Sequence, residues 1–399
     1  MSADLLPHGS AGPQKPPPAT RRVVLLGAAG SVGRQALSVI EANPERFSLV
    51  GATVEKNHGF LLQLHGRYPG ASYASLLPDP ASGTTPPWLG VGLSATLEVS
   101  TVDCDVVLVA IPGAAALEPA MVAVRRGRDI ALSSKEVMVM AGPVVNATAS
   151  QAGSRIFPVD SEHSAIWQCL RGEAEGTVLR LLLTASGGAL RDLPLCELQR
   201  VTPEQALAHP TWSMGPKVTV DSASLMNKGL EIIEARHLFS VAVEHIDVLL
   251  HRQSIVHSMV EFVDGAIMAQ IGSPDMRLPV ALALSAGDRL EGAARKLDLS
   301  ELAQLEFAPV DQERYPLYSV ARSAATDSTG ACIAMNAADE VAVAAFLSHR
   351  CGYLDIVSVV SEVVAKFSGT AAEDIPEILE LDRRARQVAH ELLAAVGGP

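Results

Sequence analysis

A short apolar run that ends in a glycine-rich turn and continues as a helical pattern constrains the fold of this chain most strongly. Residues 23–26 are Val-Val-Leu-Leu, and residues 27–33 read GAAGSVG. Beyond the turn, the apolar residues from Val32 to Ile40 have the spacing of one face of an α-helix. A strand, a tight turn and a helix in this order are typical of the first unit of a doubly wound α/β sheet.

Further apolar runs alternate with helical patterns up to about residue 150. They predict strands at 48–54, 106–110 and 130–132. Such alternation indicates a parallel sheet with helices on both faces, so we assign residues 21–150 to a Rossmann-like domain. Glycines in the first turn allow a pyrophosphate to approach the backbone, and a helix that begins near Ser31 offers N–H groups to it. The alternative is a tight turn without a ligand.

The pattern changes in the remainder of the chain. Runs at 178–184, 246–250, 257–263 and 267–271 predict strands, and Asp264-Gly265 predicts a hairpin between the last two. Ala-rich helical patterns follow at 319–326, 333–348, 354–367 and 380–395. We therefore expect an α+β domain over 151–290, a linker over 291–310 and a C-terminal helical bundle over 311–399.

Composition excludes several classes of protein. The 31 basic and 44 acidic residues give a net charge of −13, the wrong sign for a protein that holds nucleic acid. A small anionic substrate is compatible with this charge, because a pocket can be locally positive. Apolar residues make up 48% of the chain, but no uninterrupted apolar run approaches the roughly 18 residues of a membrane span. We expect neither nucleic acid nor membrane as a partner.

The N-terminal segment and the cysteines predict a cytoplasmic protein. Residues 1–20 are rich in proline and lack the apolar stretch of a signal peptide, so we expect a disordered tail there. The five cysteines have neither metal-binding spacing nor the pairing of a disulfide framework, and we interpret them as buried thiols.

Two carboxylates follow a short apolar run at 156–159. Asp160 and Glu162 are two residues apart, so on an extended chain they would share a face. Carboxylates that point the same way repel unless a cation or a proton lies between them. The alternative is a solvated strand end, and the neighbouring His163 is expected to be structural.

A second constellation lies at residues 221–234. On a helix Asn227, Lys228 and Glu231 share one face, because they are separated by three or four positions. The alternative is a surface ion pair. Glu231 would be a third oxygen ligand beside Asp160 and Glu162, and such a set suits Mg²⁺ or Mn²⁺. Donors for a phosphate are available at Ser222, Asn227 and Lys228, and at Ser186 in a glycine-flanked turn.

Two further segments are each compatible with two interpretations. The loop at 208–216 contains Trp212 between prolines, and this tryptophan either docks on the core or belongs to a lid over a ligand. After the second predicted strand come Glu55, Lys56 and Asn57. An acidic residue at this position favours NAD and a basic one favours NADP, and the chain has both.

Five segments occur together in a specific order: GAAGSVG at 27–33, VDSEHSA at 159–165, TASGG at 184–188, HPTWSMG at 209–215 and DSASLMNKGLE at 221–231. In this order they resemble the 1-deoxy-D-xylulose 5-phosphate reductoisomerase family over about residues 22–370. The resemblance implies an oxidoreductase of non-mevalonate isoprenoid biosynthesis that uses NADPH with Mg²⁺ or Mn²⁺. Such an enzyme isomerises the ketose phosphate and reduces the resulting branched aldehyde to 2-C-methyl-D-erythritol 4-phosphate. It also implies that the α+β domain is catalytic and connecting, and that the protein is a homodimer.

The resemblance also implies site residues. The implied metal ligands are Asp160, Glu162 and Glu231, and the implied catalytic residues are Lys135, Glu162, Lys228 and Glu231. The implied substrate-binding residues are Ser161, Ser186, His209, Trp212, Ser222, Asn227 and Lys228. The implied cofactor-binding residues are Gly27, Ala29, Gly30, Ser31, Val32, Lys56, Asn57, Glu136, Met214, Gly215 and Met276.

The chain departs from the family pattern at seven positions: Glu55, Ala116, Ser133, Ser134, Ala189, Arg252 and Asp339 replace Gly, Gly, Ala, Asn, Pro, Pro and Asn, respectively. The metal and phosphate residues are retained, and the changes cluster on the cofactor side. They leave open a duplicated homologue that tolerates an inhibitor or has a shifted phosphate or phosphonate substrate. The sequence is also compatible with a different NADP-linked oxidoreductase and with a non-catalytic dinucleotide-binding sensor.

Overall fold

The computed structural model describes residues 20–79 and 85–396. The strands are β1 (Arg21–Leu26), β2 (Phe47–Val54), β3 (Ser72–Ser75), β4 (Leu89–Val91), β5 (Val106–Val109), β6 (Asp129–Leu132), β7 (Ile156–Pro158), β8 (Val178–Ala185), β9 (Ile246–Leu250), β10 (Val256–Phe262), β11 (Ile267–Ile271) and β12 (Ala308–Pro309). The helices are α1 (Ser31–Ala42), α2 (His58–Arg67), α3 (Leu93–Ser100), α4 (Leu117–Arg125), α5 (Glu136–Ala152), α6 (Ser161–Leu170), α7 (Pro203–Leu207), α8 (Pro216–Ser224), α9 (Met226–Phe239), α10 (Arg277–Leu284), α11 (Pro316–Asp327), α12 (Thr329–Leu347), α13 (Tyr353–Phe367) and α14 (Ile375–Val396).

The first seven strands form one parallel sheet in the order β4-β3-β2-β1-β5-β6-β7. The residues Val23–Leu26 of β1 and Val106–Val109 of β5 are completely buried, because the sheet is covered on both faces. The chain moves outward from β1 to β4 and returns to β5 on the other side of β1. Ligands of such sheets bind beyond the carboxyl ends of the strands at this reversal. The predicted parallel α/β sheet is confirmed.

The second sheet has the order β11-β10-β8-β9-β12 and mixed directions. Strands β8 and β9 are parallel, whereas β10 is antiparallel to both β8 and β11. The predicted hairpin is confirmed: Phe262 N–H donates to Ala266 O across the turn, and Gly265 has a φ of +87°. This sheet supplies the turn that follows β8.

The last four helices, α11 to α14, pack on one another as the sequence predicts. Most residues of α12 are buried, and its Ala-rich surface lets the neighbouring helices approach closely. Among the described helices α12 alone is long and apolar enough to span a membrane, and 83% of its most apolar window is buried within the protein. A core helix has the same properties.

Contacts divide the chain into two compact units. The first unit contains the described residues up to 137 together with 145–174 and 275–295. The second unit contains 138–144, 175–274 and the described residues from 296 onward. The domains over 21–150, 151–290 and 311–399 stay predictions. The predicted tail lies outside the described residues except for Thr20.

The prediction of five buried thiols was wrong for two of them. Cys104, Cys169 and Cys332 are buried, whereas Cys196 is exposed and Cys351 is half-buried. Cys196 lies in a short 3-10 helix in which Leu198 is the buried residue. A single apolar anchor leaves the neighbouring side chains of such a turn in solvent.

Candidate active site

The glycine-rich turn of the first unit is built by close backbone packing. A Cβ on Gly27 would lie 2.4 Å from Ala110 O, and a Cβ on Gly33 would lie 2.4 Å from Gly27 O. Gly27 also has a φ of +90°, which L side chains rarely adopt. The turn is tied to β2, because Gly27 N–H and Ala28 N–H donate to Thr53 O.

Gly30 has a different role in this turn. It is exposed and precedes α1 without a side-chain cap, and a Cβ there would lie 3.3 Å from Gly27 O. Ser31 is exposed beside it, and Ala29 and Val32 are half-buried. An uncapped helix N-terminus at the reversal of a parallel sheet fits the pyrophosphate of a dinucleotide. The residues present therefore fit the predicted cofactor.

Lys56 and Asn57 follow β2 and are exposed, as is Glu55. Asn57 is the N-cap of α2, and its side chain accepts a hydrogen bond of 3.0 Å from Phe60 N–H. The loop is therefore anchored at Asn57, while the side chains of Glu55 and Lys56 extend into solvent.

The prediction that Asp160 and Glu162 share a face of an extended chain was wrong. Strand β7 ends at Pro158, Asp160 is the N-cap of α6, and Glu162 lies in the first turn of that helix. The Asp-Ser-Glu order is typical of a helix start, since carboxylates favour the positive end of the helix dipole. Both carboxylates therefore lie at one helix N-terminus, and Ser161 Oγ donates to Glu162 Oε2 at 2.5 Å.

Asp160 is held ionised by its neighbours. Its Oδ2 lies 2.5 Å from Lys135 Nζ, and both side chains are nearly buried. Burial raises the pKa of Asp160, but the Lys135 ammonium, His163 and a hydrogen bond with Glu162 together hold it well below its usual value. His163 is fully buried, with a ring nitrogen within 4.8 Å of an Asp160 oxygen.

Glu136 is buried at the start of α5, directly after Lys135. Its Oε1 accepts a hydrogen bond of 3.1 Å from Gly113 N–H. The preceding Ser134 is also buried, and its hydroxyl donates to Ile111 O at 2.6 Å. This serine is therefore directed to the backbone of the loop after β5.

In the second unit, α9 brings together the three residues predicted to share a helix face. Asn227 Nδ2 donates to Glu231 Oε1 at 2.5 Å, and Lys228 Nζ donates to Glu231 Oε2 at 2.6 Å. Lys228 and Glu231 are almost completely buried, so the interpretation as a surface ion pair was wrong. Both oxygens of one buried carboxylate are thus oriented by donors from its own helix.

The turn after β8 lies against the end of α8. A Cβ on Gly188 would lie 2.4 Å from Ser222 O, so only glycine permits this contact. The helix break at Leu225, with a φ of +60°, separates Ser222 on α8 from Asn227 on α9. Because Gly188 packs on the backbone of Ser222, the turn that contains Ser186 lies beside Ser222.

His209 links the turn after β8 to the loop at 208–216. Its Nδ1 accepts hydrogen bonds from Thr211 N–H at 3.1 Å and from Trp212 N–H at 2.9 Å. The ring proton is therefore assigned to Nε2, which donates to Ser186 Oγ at 2.9 Å. Burial, and then the charge of Arg191, lower the pKa of His209, which favours the neutral ring.

Trp212 is half-buried, and its ring centroid lies 6.1 Å from that of His257. Met214 is half-buried, and Gly215 is the exposed N-cap of α8. Met276, in the first unit, is the half-buried N-cap of α10. Gly215 and Met276 thus lie directly at helix starts, whereas the backbone of Trp212 is held by His209.

Two charged groups were missed by the sequence analysis. Arg191 Nη1 donates to Ser186 O at 2.8 Å, which adds a cation beside the predicted phosphate donors. Lys217 Nζ lies 2.7 Å from both Asp221 Oδ2 and Asp339 Oδ2, and both aspartates are buried. The i,i+4 spacing of Lys217 and Asp221 was available in the sequence, whereas Asp339 on α12 joins them only in the fold.

Family models for 1-deoxy-D-xylulose 5-phosphate reductoisomerase match residues 23–142, and models of its C-terminal domain match 156–239 and 271–388. The 1-deoxy-D-xylulose 5-phosphate reductoisomerase of Ectopseudomonas mendocina is 43% identical over 94% of this chain and 98% of its own length. The solved reductoisomerase complex with NADPH, fosmidomycin and magnesium is 35% identical over 94% of this chain and 98% of its own, with a TM-score of 0.86. The Zymomonas mobilis enzyme in complex with NADPH is 37% identical over 94% of this chain and 99% of its own, with a TM-score of 0.84. The chain therefore belongs to the 1-deoxy-D-xylulose 5-phosphate reductoisomerase family.

Proposed function

We propose that this protein converts 1-deoxy-D-xylulose 5-phosphate to 2-C-methyl-D-erythritol 4-phosphate with NADPH and a divalent cation. The observation that carries the proposal is the buried Glu231 carboxylate, which Asn227 and Lys228 hold by both oxygens. A purely structural helix gains little from burying such a charged set, since the desolvation of the charges offsets their attraction. Members of the family to which the chain belongs catalyse this reaction.

Asp160, Glu162 and Glu231 are proposed to hold one Mg²⁺ or Mn²⁺. Carboxylate oxygens are the ligands that these cations prefer, and the low pKa of Asp160 keeps it ionised at neutral pH. Lys135 and Lys228 each neutralise one of these carboxylates and are the proposed catalytic ammonium groups. When bound, the cation supplies Lewis acidity toward the ketone oxygen and an adjacent hydroxyl.

The substrate phosphate is proposed to lie on Ser186, Ser222, Asn227, Lys228 and His209. His209 acts as a neutral donor in this set because Nδ1 is occupied by two backbone N–H groups. Ser161 is proposed to contact the sugar, since its hydroxyl lies at the start of α6 beside Glu162. Phosphate contacts remote from the reacting carbons provide binding energy that orients the substrate.

The nicotinamide cofactor is proposed to lie across the turn at Gly27–Gly33. Lys56 and Asn57 would contact the adenosine phosphate, and Glu136, Met214, Gly215 and Met276 the nicotinamide half. The loop at 208–216 would act as a lid, with Trp212 excluding water from the reactive aldehyde. The three predicted domains (21–150, 151–290 and 311–399) would then carry the cofactor, the catalytic residues and the supporting bundle.

The active protein is proposed to be a cytoplasmic homodimer. Strand β11 is an edge of the second sheet, and its Ile267, Met268 and Ile271 are exposed. A row of apolar side chains on an edge strand favours association with a second copy. Light scattering with Ile267→Lys tests this: the wild type should have twice the mass of one chain, and the variant should shift toward one.

The function is tested with metal-stripped protein, NADPH and 1-deoxy-D-xylulose 5-phosphate. Absorbance of the reduced nicotinamide should fall only after Mg²⁺ or Mn²⁺ is added, and omission of any component should stop the change. Mass and NMR spectra of the product should match 2-C-methyl-D-erythritol 4-phosphate. Oxidation of NADPH without the ketose phosphate, or a product with an unbranched carbon chain, would refute the proposal.

A further inference from the structure

Arg34 stands out in the first unit because it is a cation placed at the start of a helix without an acidic partner among the described residues. It lies in the first turn of α1 and is exposed, yet a cation near the N-terminus of a helix opposes the helix dipole. Among the residues that the structure describes, no acidic side chain pairs with it. A cation kept where the helix disfavours it indicates a ligand of negative charge.

The guanidinium of Arg34 is held in a defined place. Its Nε donates to Ala29 O at 2.9 Å, and its Cζ lies 4.4 Å from the centroid of the Phe60 ring. Phe60 is itself fixed, because it is buried and its N–H donates to Asn57 Oδ1. One end of the arrangement is thus the glycine-rich turn, and the other is the loop after β2.

This location is where the adenosine ribose of a dinucleotide lies in a Rossmann-like domain, between the first turn and the end of the second strand. The planar guanidinium can offer Nη1 and Nη2 together to a phosphate, which a lysine ammonium cannot do. We propose that Arg34 binds the 2′-phosphate of NADPH together with Lys56 and offsets the charge of Glu55. The inference rests on the proposed use of this turn for the cofactor.

The negative charge of Glu55 explains why a second cation is needed beside Lys56. The carboxylate is exposed next to Lys56 and would repel a 2′-phosphate. The charges of Lys56 and Glu55 cancel each other, and Arg34 restores a net positive charge beside the ribose. Preference for NADPH over NADH is therefore retained despite the acidic residue.

Binding of NADPH and NADH to the full-length protein, measured by calorimetry without substrate, tests this inference. Arg34→Gln should weaken NADPH binding by about tenfold or more and change NADH binding by less than about twofold, because only NADPH carries the 2′-phosphate. Arg34→Lys keeps the charge but not the two parallel N–H donors of the guanidinium, so its NADPH affinity should lie between those of the wild type and Arg34→Gln. Arg67→Gln is the matched control, since it removes the same charge from the far end of α2, where Arg67 pairs with Glu41.

The outcomes separate the inference from the proposed function. Equal losses for NADPH and NADH in Arg34→Gln would mean that Arg34 only supports the turn through Ala29, and would overturn the inference. Unchanged NADPH binding in Arg34→Gln, or an equal effect of Arg67→Gln, would also overturn it. A wild-type protein that binds neither nucleotide would instead refute the proposed cofactor site. Thermal melting of each variant identifies loss of fold.

Discussion

Replacement of Glu231 by glutamine perturbs the proposed metal site with the least change of shape. The carboxylate is 1% exposed and accepts hydrogen bonds from Asn227 and Lys228. Glutamine keeps one oxygen, so one of these two donors loses its acceptor. A hydrogen bond to a charged group contributes about 1.5–3 kcal/mol, and the free energy of unfolding should fall by about 2 kcal/mol. For units of this size that is a decrease in Tm of roughly 4–8 °C.

The effect on turnover should be much larger than the effect on stability. Loss of a group that only orients a metal ligand costs about 10–100-fold in metal affinity or activity, so loss of the ligand itself should exceed about 100-fold. NADPH binding should be unchanged. Turnover is followed by NADPH absorbance, and Mn²⁺ affinity by titration, at a temperature where both proteins are folded.

Glu234→Gln is the matched control for this experiment. Glu234 is fully buried on the same helix, one turn beyond Glu231. If Glu231 is the ligand, Glu234→Gln should leave metal affinity within about threefold of the wild type, far from the roughly 100-fold loss expected for a ligand. Equal losses in the two variants, or wild-type turnover in Glu231→Gln, would refute the assignment of Glu231.

Three further outcomes follow from the structure. Gly33→Ala should abolish NADPH binding and lower the melting temperature, because the new Cβ would lie 2.4 Å from Gly27 O, whereas Gly30→Ala, whose Cβ would lie 3.3 Å from the same oxygen, should have smaller effects. Calorimetry and thermal melting measure both effects, and equal results for the two variants would contradict this expectation. Burial, with a smaller contribution from Arg236, lowers the pKa of His237 to about 4, so its contribution to stability is present above pH about 6.5 and is lost as the pH falls toward 4. Urea unfolding of the wild type should therefore lose up to about 3 kcal/mol more over this range than His237→Gln, and parallel pH profiles would refute this. Glu55→Gly should raise NADPH affinity a few-fold, by roughly 0.5–1 kcal/mol, and leave NADH affinity unchanged; a change in both nucleotides would contradict the proposed position of Glu55.

Features that depend on neighbours in sequence were predicted well. The strand, turn and helix at 21–42 and the hairpin at Asp264–Gly265 follow from local spacing and from glycine. The shared face of Asn227, Lys228 and Glu231 follows from helical periodicity alone. Local periodicity thus predicts the sheet class and the shared helix face of Asn227, Lys228 and Glu231.

Features that depend on where an element begins, or on distant residues, were not predicted. Asp160 and Glu162 were expected on extended chain because they follow an apolar run, but Asp160 is the N-cap of α6 and Glu162 lies in the first turn of that helix. The pairing of Lys217 with Asp339 requires α8 and α12 to pack, which no local pattern reveals. The position of the Arg34 guanidinium likewise depends on another helix, because the guanidinium lies over the ring of Phe60 on α2.

The proposed metal site requires that Asp160 and Glu231 bind one divalent cation. Mn²⁺ titration followed by electron paramagnetic resonance tests it in the wild type, Asp160→Asn, Glu231→Gln and the double variant. We expect one tight Mn²⁺ per chain in the wild type and a large loss of Mn²⁺ affinity in each single variant. The loss in the double variant should be smaller than the sum of the two single losses. Wild-type Mn²⁺ affinity in either single variant, or losses that simply add, would contradict it.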